Sequence, residues 1–249
     1  MTKKLENKVA LVTGGTSGIG LAAAIEFATE GALVFITGRR QVELDSAAKL
    51  IGHGVTAIKS DASKLDDLDR LYAEIKRKTG YLDVVFANAG GGDMLPLGAI
   101  TEEHFDRIFD SNVKGVLFTV QKALPLLRDN ASIILASSTT SVKGTANFSV
   151  YSASKAAVRN FARSWILDLK DRKIRVNAIA PGPVRTPGLE GLVPAEHTEG
   201  LMGQLASLVP MGRIGKPEEI AKAVLFLASS DSSFVNGAEL FADGGLAQI

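Results

Sequence analysis

Seven short apolar runs, at 9–13, 33–37, 55–59, 84–87, 132–136, 175–180 and 239–241, alternate with longer segments of helical spacing. The helix-like stretches lie near 18–30, 40–51, 64–79, 102–128, 149–171 and 217–228. Strand–helix alternation of this kind predicts an α/β fold, a doubly wound and mainly parallel sheet covered by helices on both faces. The runs are continuously apolar, as expected of strands buried on both sides. No internal repeat, low-complexity tract or Pro/Gly/Ser linker interrupts them, so the 249 residues read as one domain, 1–249. The irregular stretch is 182–212, with four prolines. It follows a strand and therefore lies over the carboxyl edge of the sheet, where such folds bind ligands. Within it, 196–209 has helical spacing, and 187–209 reads as a lid over that edge.

The first run leads into Gly14-Gly15-Thr16-Ser17-Gly18-Ile19-Gly20 and then a helix. Glycines let the backbone turn tightly and approach a pyrophosphate, and the helix N-terminus offers free N–H groups and a positive dipole end. Leu21 follows Gly20 where a Walker A loop requires lysine, so that loop is excluded. The second run ends in Gly38-Arg39-Arg40, with no acid to hold a ribose 2′-hydroxyl. Arginine suits a 2′-phosphate instead, so NADP(H) is the expected cofactor, with Arg39 preferred over Arg40. Asp61, beside Ala62 after the third run, either accepts from an adenine amine or caps a helix. Asn88-Ala89-Gly90, after the fourth run, either packs a ribose or adenine or simply turns the chain.

Tyr151 and Lys155 are four residues apart on one helical segment and so share a face. A neighbouring ammonium favours the phenolate and is expected to lower the tyrosine pKa. Such a tyrosine exchanges protons near neutral pH. Ser138, thirteen residues earlier, can hydrogen-bond the same substrate oxygen. Ser137, Thr139, Thr140 and Ser141 surround it.

These pieces in this order resemble the short-chain dehydrogenase/reductase family, over nearly the whole chain. The matching positions are Thr13-Gly14-x3-Gly18-x-Gly20, Asn88-Ala89-Gly90, Asn112, Ser138, Tyr151-x3-Lys155, Pro181-Gly182 and Asp243-Gly244-Gly245. Ala87 stands where many members carry a second asparagine. The resemblance implies a nicotinamide cofactor and a tetrad of Asn112, Ser138, Tyr151 and Lys155. By the same resemblance Lys155 also holds the nicotinamide ribose, and Asn112 lets a water link the lysine to solvent. Thr186 would hold the carboxamide, and Val184 would line the nicotinamide pocket. On the residues alone, Asn112 reads equally as a helix-interior amide bonded to backbone.

Net charge is +1, which gives no field favouring nucleic acid or an anionic membrane. With no cysteine there is no thiolate nucleophile or cysteine metal site, and no metal is expected. The three histidines, His53, His104 and His197, read as surface residues. No apolar stretch is long enough to span a bilayer. The start lacks a secretory apolar region, so a cytoplasmic enzyme is expected. The loops 91–95, 139–148 and 187–209 are largely apolar and suit a small-molecule ketone or secondary alcohol. A 3-oxoacyl-carrier-protein reductase is the close alternative, with Arg128, Arg172 and Lys173 as contributors to carrier docking. A catalytically idle NADP(H)-binding regulator is an alternative of another class. Apolar residues on the Tyr151 helix, Phe161, Trp165, Ile166 and Leu169, point to a homo-oligomer. The family resemblance implies a tetramer, or else a dimer.

Overall fold

The computed structural model describes residues 3–249; Met1 and Thr2, part of the start read above, lie outside the described residues. The strands are β1 (Val9–Val12), β2 (Leu33–Gly38), β3 (Val55–Lys59), β4 (Leu82–Ala87), β5 (Leu127–Ala136), β6 (Arg175–Pro181) and β7 (Glu239–Ala242). They form one parallel sheet in the order β3-β2-β1-β4-β5-β6-β7. The chain builds outward from β1 in one direction and then, from β4, in the other. The crevice between the carboxyl ends of β1 and β4 is the place where such a sheet takes a ligand.

Every residue of β1 is buried. Val9 and Leu11 point to one face and Ala10 and Val12 to the other, so a single strand feeds two cores. One core lies under α3 (Leu65–Lys78), α5 (Gly115–Ala123) and α6 (Ser149–Asp168). The other lies under α1 (Gly18–Thr29), α2 (Gln41–Ile51) and α9 (Pro217–Ala228). Side chains such as Leu11, Ile36, Leu71 and Ile133 are wholly buried, each worth about 2 kcal/mol of apolar burial.

The expected 102–128 helix is instead three pieces. These are α4 (Glu102–Phe109), a π-helical turn (Asp110–Lys114) and α5. Pro125 explains the stop, because it cannot donate a backbone hydrogen bond inside a helix. The chain then enters β5 at Leu127, five residues before the expected start, and the pairing with β4 shifts register between Leu82 and Val84. Beyond β6, the irregular stretch holds α7 (Pro187–Glu190) and α8 (Thr198–Leu208). Among the described residues, no helix is long and apolar enough to cross a membrane.

Candidate active site

Gly14 and Gly18 both adopt positive φ, +65° and +53°, which glycine takes without strain. A Cβ on Gly20 would stand 2.2 Å from the Gly14 carbonyl oxygen, so only glycine lets α1 close onto the turn. Thr13 is buried, and its Oγ1 accepts from the Asn88 and Ala89 amides, both at 3.0 Å. The Asn88 side chain in turn donates to the Thr13 carbonyl at 3.0 Å and to that of Gly14 at 3.3 Å. The Asn88-Ala89-Gly90 turn is therefore a clamp on the glycine loop as well as part of the crevice wall. Ser17 begins α1 with no side-chain cap, and no acid lies in the first turn. The uncapped N–H groups and dipole suit an anion. Thr16 touches this region from the side, since a Cβ on Gly38 would meet its methyl at 2.6 Å.

Arg39 is exposed and has no ion-pair partner among the described residues, whereas Arg40 pairs with Glu43 at 2.6 Å. Asp61 uses Oδ1 to accept from the Ser63 amide and hydroxyl, an Asx turn leading into α3. The neighbouring Ala62 carbonyl packs on Gly115. On the far side of the crevice, Pro181 ends β6 and Gly182 lies against Asp243 of the closing motif. Val184 is buried, and Thr186 caps α7 by accepting from the Leu189 amide at 3.1 Å. The Thr186 methyl group faces Gly18, so the glycine loop and the segment after β6 meet there.

Tyr151 and Lys155 stand one turn apart on α6, with the Lys155 ammonium 5.5 Å from the phenol ring centre. Lys155 is buried and donates to the Ala136 carbonyl at 2.7 Å. Burial pulls its pKa down to about 8. Burial pushes the Tyr151 phenol up to about 12, and a hydrogen bond with Ser138 offsets part of this. The sequence expectation of a lowered phenol is thus reversed, because desolvation outweighs the help from nearby polar groups. Ser138 accepts from the Thr140 amide at 3.2 Å and its hydroxyl at 3.1 Å, which leaves the serine proton free to point at Tyr151 or a bound oxygen.

Asn112 sits inside the π turn and is fully buried. Its amide is fully engaged. The nitrogen donates to the Gly91 carbonyl and to Ser154 Oγ, both at 2.9 Å. The oxygen accepts from the Gly91 amide at 3.0 Å and Ser111 Oγ at 2.9 Å. The side chain therefore fixes the loop after β4 to α6, one residue from Lys155. Extra-residue turns of this kind recur at functional sites.

Two residues of the loops 91–95 and 139–148 contact the Tyr151 ring itself, a contact the sequence did not specify. A Cβ on Gly92 would lie 2.5 Å from the Tyr151 ring, and Phe148 stacks on that ring at 4.4 Å and 25°. The Gly90-Gly91-Gly92 triplet was the available signal. Of the histidines, His53 and His197 are exposed as expected, but His104 is buried, with neither ring nitrogen hydrogen-bonded. Its place in the first turn of α4 turns it inward. Arg128, Arg172 and Lys173 also differ from expectation. They lie at the amino edge of the sheet, beside the starts of β5 and β6, roughly 20 Å of strand from Ser138. Arg128 lies over Tyr81, and Arg172 binds Asp129 and the Leu124 and Leu127 carbonyls.

A family model described as "Enoyl-(Acyl carrier protein) reductase" matches residues 14–247. The chain is 47% identical to "Oxidoreductase asL5" of Sarocladium schorii, over 99% of this chain and 98% of that one. It is 38% identical to "3-oxoacyl-[acyl-carrier-protein] reductase FabG" of Thermotoga maritima, over 98% and 99%. Among solved structures, levodione reductase superposes with a TM-score of 0.93 at 29% identity, covering 98% of this chain and 99% of that one.

Proposed function

The chain belongs to the short-chain dehydrogenase/reductase family, and we propose that it is an NADP(H)-dependent reductase of a largely apolar small-molecule ketone. The observation that carries this reading is the meeting of Tyr151, Lys155 and Ser138 at the carboxyl edge of the sheet, beside the glycine loop. The loop suits a dinucleotide: Gly14 and Gly18 turn at positive φ, only glycine at position 20 lets α1 close onto the turn, and the start of α1 is uncapped. Thr16, Ser17, Ile19, Asn88, Ala89, Gly90, Pro181, Gly182, Val184 and Thr186 would surround it, with Asp61 and Ala62 at the adenine end. Arg39, being unpaired among the described residues, would take a 2′-phosphate, while Arg40 is held by Glu43. When bound, the cofactor supplies the hydride.

The rest is proton chemistry on side chains of this chain. A phenol held up to about 12 keeps its proton at neutral pH, so Tyr151 is poised as an acid. It remains a far stronger acid than an alcohol and can protonate the oxygen of a carbonyl under reduction. Ser138 donates to the same oxygen and fixes its position. Lys155, charged below about pH 8, steadies the phenolate left behind. Asn112 holds the loop and helix in register, and the family resemblance implies that it also lets a water relay protons to Lys155.

The relative named FabG favours a second reading, a 3-oxoacyl-carrier-protein reductase. Carrier docking needs free cations near the site, and the arginines around the carboxyl edge argue against it. Arg107 pairs with Asp93, Arg185 with Glu190 and Glu199, and Arg213 with Glu219. An idle NADP(H)-binding regulator would need no such proton machinery. Loss of NADPH absorbance over aryl ketones, aliphatic ketones, 3-oxo esters and a 3-oxoacyl thioester tests the choice. Turnover of simple ketones supports the first reading, and turnover of the thioester alone supports the second. Silence across the panel with NADPH still bound supports the regulator.

A further inference from the structure

Glu239 begins β7, far in sequence from Ser138 and Tyr151, yet its side chain is only 7% exposed and reaches beneath them. Its Oε1 accepts hydrogen bonds from Ser137 Oγ and Ser141 Oγ, both at 2.7 Å. Those two serines bracket Ser138 and the short turn Thr139–Ser141 that follows it. Its Oε2 faces Arg159 Nε at 3.8 Å, and Arg159 is one helical turn beyond Lys155 on α6. One carboxylate therefore spans the serine turn and the helix that carries the tyrosine and lysine. Hydrogen bonds to an ionised acceptor are roughly twice as strong as neutral ones.

We propose that Glu239 is a positioning residue, which sets the direction of the Ser138 hydroxyl toward Tyr151 by anchoring Ser137 and Ser141. The role is distinct from touching substrate or cofactor. Ser137 and Ser141 are buried; without the carboxylate Ser141 loses this acceptor, and Ser137 keeps only a long contact to the Lys155 carbonyl at 3.4 Å. The turn then relaxes, and displacements near 1 Å at a reacting group cost about 100-fold in rate. Glutamine keeps one acceptor oxygen for the two serine hydroxyls and gives up only the contact to Arg159, so it preserves the anchor on the serine turn.

The inference rests on the assignment of Ser138 to the reacting centre, so the test reads both. Ketone turnover and NADPH Kd are measured for Glu239→Ala, Glu239→Gln, Ser138→Ala and the double variant Glu239→Ala/Ser138→Ala. The expected result is a 10- to 100-fold fall in kcat for Glu239→Ala, with NADPH Kd unchanged and most of the rate restored in Glu239→Gln. In the Ser138→Ala background, removing Glu239 should cost less than about 3-fold more, because it acts through a serine already gone. Losses that simply multiply, or an unchanged kcat in Glu239→Ala, overturn the proposal. An unchanged kcat in Ser138→Ala overturns the assignment of Ser138 instead. If Glu239→Ala does not fold, Ser137→Ala/Ser141→Ala carries the same test from the other side of the hydrogen bonds.

Discussion

Lys155→Met should abolish most activity and yet leave the protein as stable at neutral pH, or more so. Lys155 is only 4% exposed, and its pKa falls from 10.5 to about 8 by burial. That fall corresponds to about 3 kcal/mol of destabilisation while the amine is charged in both folded and unfolded states. Methionine removes this term and fills most of the same space. It also orphans the Ala136 carbonyl, which costs about 1–3 kcal/mol. The net change at pH 7 is a gain of about 0–2 kcal/mol. The pH dependence is sharper. A lowered folded pKa means that the unfolded chain binds the extra proton between about 8 and 10.5, so wild-type stability rises with pH across that window. Methionine cannot titrate, so its advantage should shrink by roughly 2 kcal/mol between pH 7 and pH 10. Urea unfolding of both proteins at the two pH values measures this difference. A variant advantage that does not change with pH would refute the reasoning, as would a clear loss at pH 7.

Arg39→Ala should weaken NADPH binding at least 10-fold and NADH binding little, as read by fluorescence titration; equal losses would remove the 2′-phosphate assignment. Gly92→Ala should lower kcat at least 10-fold with cofactor Kd unchanged, because its Cβ would press on the Tyr151 ring. A normal kcat there would mean that the tyrosine has room to move. The kcat/KM for ketone reduction should decline as pH rises through about 8, where Lys155 loses its charge. A flat profile to pH 10 would separate that charge from the reaction.

The apolar runs located all seven strands, the central ones because strands buried on both faces read as continuous apolar runs, while the edge strands β3 and β7 are only half-buried. The glycine loop and the Tyr151–Lys155 pair were legible for a local reason: both are contiguous in sequence. What escaped was set by long-range packing. Pro125 was visible, but the apolar spacing around it masked the stop of α5. The π turn at Asn112 depends on partners at Gly91 and Ser154 that no local pattern encodes. Glu239 is a charge heading an otherwise apolar strand, and only the fold brings it to Ser137, 102 positions earlier. The tyrosine pKa shifted upward because burial, a tertiary property, outweighed the hydrogen bond with Ser138. Arg128, Arg172 and Lys173 look like a basic cluster until β5 and β6 carry them to the opposite edge.

The most direct test of the proposed chemistry is Tyr151→Phe, assayed by NADPH consumption on a ketone the wild-type protein turns over, with NADPH Kd measured in parallel. The variant should bind NADPH normally and lose nearly all turnover, since the ring and its stacking on Phe148 remain and only the acidic proton is gone. Turnover near the wild-type rate would show that the proton comes from elsewhere and would contradict the account.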